Sequence, residues 1–290
     1  ALIHARSRAP AWSALMAARR AGLPFVTTYH GAYNEGFPGK RFYNSVMARG
    51  DRVIAISHFI ADLIRARHGV AEARLRVIPR GVDPRRFDPA LVSAERREKL
   101  RAAWGLPEGP PIIMLPARVT RWKGQMVLVE AMARVPGDSL ALLVGDAEER
   151  PAFKGELLAR IESLGLKDRV RLVGHANDMP AALMLADLVV HASTDAEAFG
   201  RTVIEAQAMA RPVIASDLGA PRETVAEGIT GWRIPPGDTA ALAEAISKAL
   251  ALPPAERAAL GARAQAAVLS GYTTQAMQAA TIAVYRELIG

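Results

Sequence analysis

The 290-residue chain contains no cysteine, so neither disulfides nor thiolate-held metals can stabilise it. Long apolar runs are also missing. Half of the residues are hydrophobic, yet no run approaches the ~20 residues that cross a bilayer as a helix. Aromatic residues make up only 6% and do not interleave with the basic runs, so a stacking platform for nucleic acid is not expected. No Asp-x-Asp pair stands ready to hold a divalent cation, and neither a metal nor another cofactor is expected. Internal repeats and low-complexity segments are absent. The chain opens at Ala1 on "ALIHA", which reads as the tail of a buried strand, and an N-terminally incomplete chain is therefore expected.

Charge is present and unevenly placed. Residues 1–110 hold 19 Lys/Arg against 9 Asp/Glu, whereas residues 111–290 hold 18 against 20. A basic first half favours anionic partners such as nucleic acid, acidic lipid headgroups or a phosphorylated acceptor. The length suits two domains. Short β-branched or apolar runs alternate with helical patterns, from "PFVTTY" (24–29), "RVIAIS" (52–57) and "LRVIP" (75–79) through "PIIMLPA", "LALLVG", "VRLVG", "LVVHAS" and "PVIAS". That alternation predicts parallel sheets covered by helices, an α/β fold. "GLPEGPP" (105–111) is the natural linker between two such units.

The richest stretch is "DAEAFGRTVIEAQAMARPVIASD" (195–217), where Glu197 and Glu205 lie eight positions apart around a Gly-Arg-Thr. It follows the buried strand "LVVHAS", and in open α/β sheets ligands gather beyond the carboxyl ends of strands. With a helix beginning near Arg201, the amides of Gly200, Arg201 and Thr202 would point at an anion. Carboxylates repel phosphate but accept hydrogen bonds from hydroxyls. A ligand carrying both a diphosphate and polyols, as a nucleotide-sugar does, reconciles the two. Arg118 and Lys123 in "LPARVTRWKGQ" (115–125) suit the diphosphate, one as a planar fork and the other as a point charge. Gly145 in "LVGDAEERP" (143–151) closes another strand end and would let a ligand approach the backbone. "GITGWRIPPGD" (228–238) reads as turn glycines followed by a Pro-Pro-Gly-Asp helix start.

The ordered string "RWKGQ", "LVGD", "EAFGRTVIEAQAMARPVIASD" and "GITGWRIPPGD", extended forward by "TYHG", "VIAIS" and "VIPRGVD", resembles the retaining glycosyltransferases of the GT-B fold. This large bacterial family includes sucrose synthases, mannosyltransferases and lipopolysaccharide-core enzymes. The resemblance implies two Rossmann-like parallel-sheet domains with the ligand cleft between them, the first domain partial. The expected divisions are 1–105, 106–272, and a helix over 273–290 crossing back to the first domain. It implies that Arg118 and Lys123 hold the donor diphosphate and that Glu205 binds the nucleotide ribose. Glu197 would contact hydroxyls of the transferred sugar, with the backbone of Phe199 and Gly200 close by. His30 in "TYHG" would face the donor sugar and orient the reacting centre. The other histidines are expected to be structural. The family pattern opens with a strand and a glycine-rich loop, and none precedes "ALIHARSRAP" here. Ala220 and Ala147 stand where a second glycine is common.

"HARSRAPAW" (4–12) offers Arg6 and Arg8 beside a helix start as acceptor-side candidates for a phosphate or sugar-acid carboxylate. The stretch resembles lipopolysaccharide-core mannosyltransferases, which implies GDP-mannose as donor and a glycan or lipid-linked anionic acceptor. "GKRFYNSVMARGDR" (39–52) mixes cations with Phe42, Tyr43, Val46 and Met47, as either an ordinary amphipathic helix or a peripheral contact with an anionic membrane. A cytoplasmic enzyme, at the inner face of the membrane if that contact forms, is expected. A sugar-nucleotide epimerase and a nucleotide-binding module without activity are the competing readings.

Overall fold

The computed structural model describes residues 1–33, 35–36 and 38–290. In chain order the elements are β1 (Ile3–Ala5), α1 (Arg8–Ala21), β2 (Phe25–Tyr29), α2 (Lys40–Ser45), β3 (Arg52–Ala55), α3 (His58–His68), β4 (Leu75–Val77) and α4 (Ala94–Ala103). Next come β5 (Ile112–Pro116), α5 (Gln125–Met132), β6 (Leu140–Val144), α6 (Pro151–Ser163), β7 (Val170–Gly174), α7 (Met179–Leu185) and β8 (Leu188–His191). The remainder is α8 (Arg201–Ala208), β9 (Val213–Ser216), α9 (Pro221–Thr224), β10 (Trp232–Ile234), α10 (Thr239–Ala251), α11 (Pro254–Gly271) and α12 (Thr274–Ile289). They form two compact units, one of Ala1–Gly81, Ala196–Phe199 and Tyr272–Gly290, the other of Val82–Asp195 and Gly200–Gly271.

The first unit is a parallel sheet in the order β1-β2-β3-β4. Helix α1 buries Ala11, Leu15 and Ala18, an i, i+4, i+7 stripe. Helix α3 begins at Ser57, whose Oγ accepts from the Ile60 amide, a cap worth about 1 kcal/mol. Helix α12 covers the sheet through Val284, which packs with Val26, Ile54 and Ile78. Its Glu287 accepts hydrogen bonds from Arg52 Nε at 2.7 Å and Arg76 Nη2 at 2.7 Å.

The second unit is a six-stranded parallel sheet in the order β10-β9-β8-β5-β6-β7. Strands β5, β6, β8 and β9 are buried at every position, which is why they read as unbroken apolar runs. The chain steps outward from β5 to β6 and β7, then returns to lay β8, β9 and β10 on the other side. The direction of winding therefore reverses between β5 and β8, and beyond their carboxyl ends is where such sheets bind ligands.

Two sequence expectations change. The segment from Val82 to Ala103 belongs to the second unit, so the division falls at Gly81/Val82 and not in the 105–111 linker. Helix α4 packs on α7 there, and Arg96 donates from Nε and Nη2 to both carboxylate oxygens of Asp178, at 2.8 and 2.7 Å, while Asp178 also caps α7. The other change is β10, which lies inside the stretch read as turns and a helix start and pairs with β9. Ala220 is accommodated without strain, because its backbone is right-handed helical (φ −69°, ψ −24°) and admits a Cβ.

Candidate functional site

In the second unit, β5 runs into a loop and a 3-10 turn over Arg121–Lys123. This turn is tied to the loop after β8: the Thr194 amide donates to the Trp122 carbonyl at 2.8 Å. Gly124 completes the lock at a left-handed φ of 76°, and any side chain there would overlap the Ala192 carbonyl. Lys123 is thereby held between the ends of β5 and β8, its Nζ 4.3 Å from the Trp122 ring centroid. Helix α8 starts from Gly200, in a left-handed conformation (φ 78°, ψ 58°) and without a side-chain cap. Among the described residues no side chain caps its leading amides, and uncapped helix starts of this kind favour anions. Gly200 also stays close to the strand it follows, since a Cβ there would lie 3.6 Å from His191 Nε2.

Glu205 is one turn into α8, where it accepts from Arg201 Nη2 at 3.0 Å, and its side chain is only 12% exposed. Burial raises its pKa, while the charges of Arg201 and Arg86 pull it back down. Arg118 is exposed and lines a recess of about 190 Å³ with Val119, Thr120, Asp146, Glu149 and Arg150. Its carbonyl accepts from Gln125 Nε2 at 2.9 Å, which steadies the loop. Gly145 has a packing reason of its own: a Cβ there would overlap the Ala117 carbonyl. Its missing side chain is accounted for by two loops in contact, without a ligand.

The two-glutamate motif is divided. Glu205 belongs to the second unit, whereas Ala196–Phe199, with Glu197, belongs by its contacts to the first. Ser57 holds that segment by donating from Oγ to the Ala198 carbonyl at 2.8 Å, and buried Phe199 meets Tyr272 with ring centroids 6.1 Å apart. Arg118, Lys123, Gly145, Gly200, Arg201, Thr202 and Glu205 all lie in the second unit, at the ends of β5, β6 and β8 or in α8.

Also in the first unit, His30 follows β2. Among the described residues its Nδ1 is buried without a hydrogen-bond partner, and its backbone amide donates to Tyr33 Oη at 3.4 Å. Burial, with Arg80, Arg6 and His4 nearby, lowers its pKa to about 4, so the ring is neutral at pH 7. Arg6 and Arg80 line a cavity of about 340 Å³ whose apolar wall includes Ile54, Ile56 and Ile78. His4 joins them, bridging Tyr285 Oη at 2.6 Å and Thr28 Oγ1 at 2.8 Å, with its own pKa lowered to about 4 by burial and Arg6. Arg8 is placed differently. It is the first residue of α1, donates to Asn44 Oδ1 at 2.9 Å and lies 4.2 Å over the Tyr33 ring. It supports the loop that carries His30 and does not line the cavity.

Sequence reasoning passed over Arg80, Arg86 and Arg150. Arg80 was legible by the rule that found Arg118, a cation just beyond a strand end in "VIPRGVD".

Residues 96–267 match the family model described as "Glycosyl transferases group 1", and residues 1–86 match "Glycosyltransferase Family 4". The chain belongs to the group 1 glycosyltransferases. A protein from Xylanimonas cellulosilytica named D-inositol 3-phosphate glycosyltransferase is 32% identical over 275 residues, which cover 87% of this chain and 64% of that protein. The chain thus spans less than two thirds of this relative's length. Among solved structures, a glycosyltransferase from Rickettsia africae is 34% identical with a TM-score of 0.92, covering 99% of this chain and 76% of the other. Anabaena HepE, solved in complex with UDP and glucose, is 28% identical with a TM-score of 0.90, covering 99% and 78%. These likenesses extend over both parallel-sheet domains and establish the GT-B architecture. Among the described residues, no helix is long and apolar enough to cross a membrane.

Proposed function

We propose that the protein transfers a hexosyl group from a nucleotide-diphosphate-sugar to a hydroxyl of an anionic polyol or glycan, with retention of configuration. The observation that carries this reading is the lock between the β5 and β8 loops, which fixes Lys123 at the point where the winding of the second sheet reverses. In this reading Lys123, Arg118 and the leading amides of α8 hold the diphosphate, and the Glu205 carboxylate accepts from the ribose diol. Glu197 and the Phe199–Gly200 backbone contact the hexose. Breaking the bond from the anomeric carbon to the phosphate oxygen leaves the electron pair on the diphosphate. Preorganised cations and amides stabilise that developing charge. The acceptor oxygen forms the new bond on the face the phosphate leaves, and its proton passes to a phosphate oxygen. Glu197 is not assigned as a nucleophile. His30, neutral at pH 7, orients the reacting hydroxyls instead of supplying charge.

The acceptor side rests on Arg6 and Arg80, two cations on one cavity of the first unit. They suit a phosphate or a sugar-acid carboxylate attached to a polyol. A relative named for inositol 3-phosphate favours the first, and the "HARSRAP" resemblance favours an acidic lipopolysaccharide-core sugar. For the donor, UDP in the HepE complexes supports a uridine nucleotide, and the same resemblance supports GDP-mannose. Mass spectrometry of incubations pairing UDP-glucose or GDP-mannose with inositol 3-phosphate or an inner-core oligosaccharide separates these arms. One hexosylated acceptor is expected. Free sugar or an epimerised nucleotide, with no acceptor product in any arm, would contradict transfer.

A further inference from the structure

The first unit carries an exposed aromatic surface that neither the sheet nor the proposed site uses. On α1, Met16 is 65% exposed, and on α2, Phe42 is 64% and Tyr43 41% exposed. Trp12 joins them into one patch by stacking on Phe42, with centroids 5.2 Å apart and planes 28° from parallel. The Trp12 Nε1 donates to the Tyr43 carbonyl at 3.1 Å, tying the short α2 to α1 and holding its aromatic face outward. Trp12, Met16 and Arg20 follow at i, i+4, i+8, so they share one face of α1. Arg19, Arg20, Lys40 and Arg41 are exposed around the patch. The Arg49 guanidinium lies 4.9 Å over Trp12 and 5.2 Å over Phe42.

Charge in this region has one sign. Residues 1–50 contain seven Lys/Arg and a single carboxylate, Glu35, which is drawn toward Arg67 at 3.9 Å. A surface of this kind matches a bilayer interface, where aromatic and methionine side chains enter the headgroup region and flanking cations meet anionic lipid. Single-stranded nucleic acid is a poorer fit, because the Trp12 and Phe42 rings stack on each other with Arg49 beside both and so do not offer a row of separate faces to successive bases. We propose that this α1–α2 surface docks on an anionic lipid bilayer, with Met16, Phe42 and Tyr43 inserting at the interface and Arg20, Lys40 and their neighbours pairing with headgroups. The proposal stands independently of the donor and acceptor assignments.

Co-sedimentation with vesicles tests it, using phosphatidylcholine alone against phosphatidylcholine with about 30 mol% phosphatidylglycerol. The parent protein should sediment with the anionic vesicles only, and salt at about 0.5 M should release it. A Met16→Ser, Phe42→Ser double variant should bind at least tenfold more weakly, as should an Arg20→Glu, Lys40→Glu variant. All four positions are exposed, so the thermal midpoint should not move. Brominated acyl chains should quench part of the tryptophan fluorescence, and Trp12→Phe should remove that part. Equal binding to neutral and anionic vesicles, no sedimentation with either, or variants that sediment like the parent would overturn the proposal.

Discussion

At the scale of single residues, Glu205 has the most instructive position. Its carboxylate is largely buried and its pKa raised, so the folded protein resists ionising it more than the unfolded chain does. A group shifted in this direction contributes stability below its unfolded pKa and loses it as pH rises through the folded value. Ionising Glu205 therefore detracts from the stability of the unliganded protein, as a preorganised ligand contact often does. Glu205→Gln is expected to raise the unliganded melting midpoint by roughly 1–3 °C. The same change should weaken nucleotide binding about tenfold or more, the loss of a charged acceptor to a diol. Differential scanning fluorimetry with and without nucleotide measures both effects at once. His4 and His30 act with the opposite sign. With pKa values near 4 in the fold, they remain neutral where the unfolded chain would take up protons. Stability should fall as pH drops from about 6.5 toward 4. Urea unfolding midpoints across that window, with His4→Gln flattening the slope, are the check.

At the scale of elements, the loops after β5 and β8 work as one piece. Gly124→Ala combines a left-handed backbone with direct overlap of the Ala192 carbonyl. Gly137 supplies a control with φ 85° and open space around its Cβ position. Gly137→Ala should cost about 1 kcal/mol and Gly124→Ala about 2–4 kcal/mol by denaturant unfolding, the difference measuring the lock. Equal losses at the two sites would show that the loops yield. The elements around this lock were legible in the sequence for local reasons. "LVVHAS" is buried on both faces, so it reads as an apolar run, and Gly200 and Arg201 mark where the following helix opens. The three-residue β10 was not legible, because its Trp-Arg-Ile lies between turn glycines and a Pro-Pro-Gly and becomes a strand only by pairing with β9. Arg8 shows the same limit. The basic residues of "HARSRAP" look equivalent in sequence, but distant partners, Tyr33 and Asn44, draw Arg8 away from the cavity that Arg6 lines.

At the scale of the whole molecule, the chain is two parallel-sheet units, and its last helix returns to the first of them. The boundary at Gly81/Val82 was hidden from sequence because α4 joins the second unit by packing on α7, with Arg96 and Asp178 paired across 82 positions of chain. Helix α12 is held on the first sheet by a small apolar contact through Val284, by the Tyr285–His4 hydrogen bond and by the Glu287 clamp. Arg76 and Arg52 lower the Glu287 pKa to about 2, so the clamp is intact above the ordinary carboxylate range and weakens only as pH falls toward that value. Glu287→Ala should speed amide exchange in α12 by about tenfold while leaving the second unit unchanged. Exchange unaffected in α12 would leave its anchoring to Val284, its apolar neighbours and the Tyr285–His4 hydrogen bond.

The most direct test of the central claim is isothermal titration of UDP-glucose and GDP-mannose into the parent protein and into Lys123→Ala. Saturable binding of one donor, weakened at least about tenfold by the lysine substitution, is the predicted result. Binding of neither donor to the parent, or an affinity indifferent to Lys123, would contradict a diphosphate site at the β5–β8 switch.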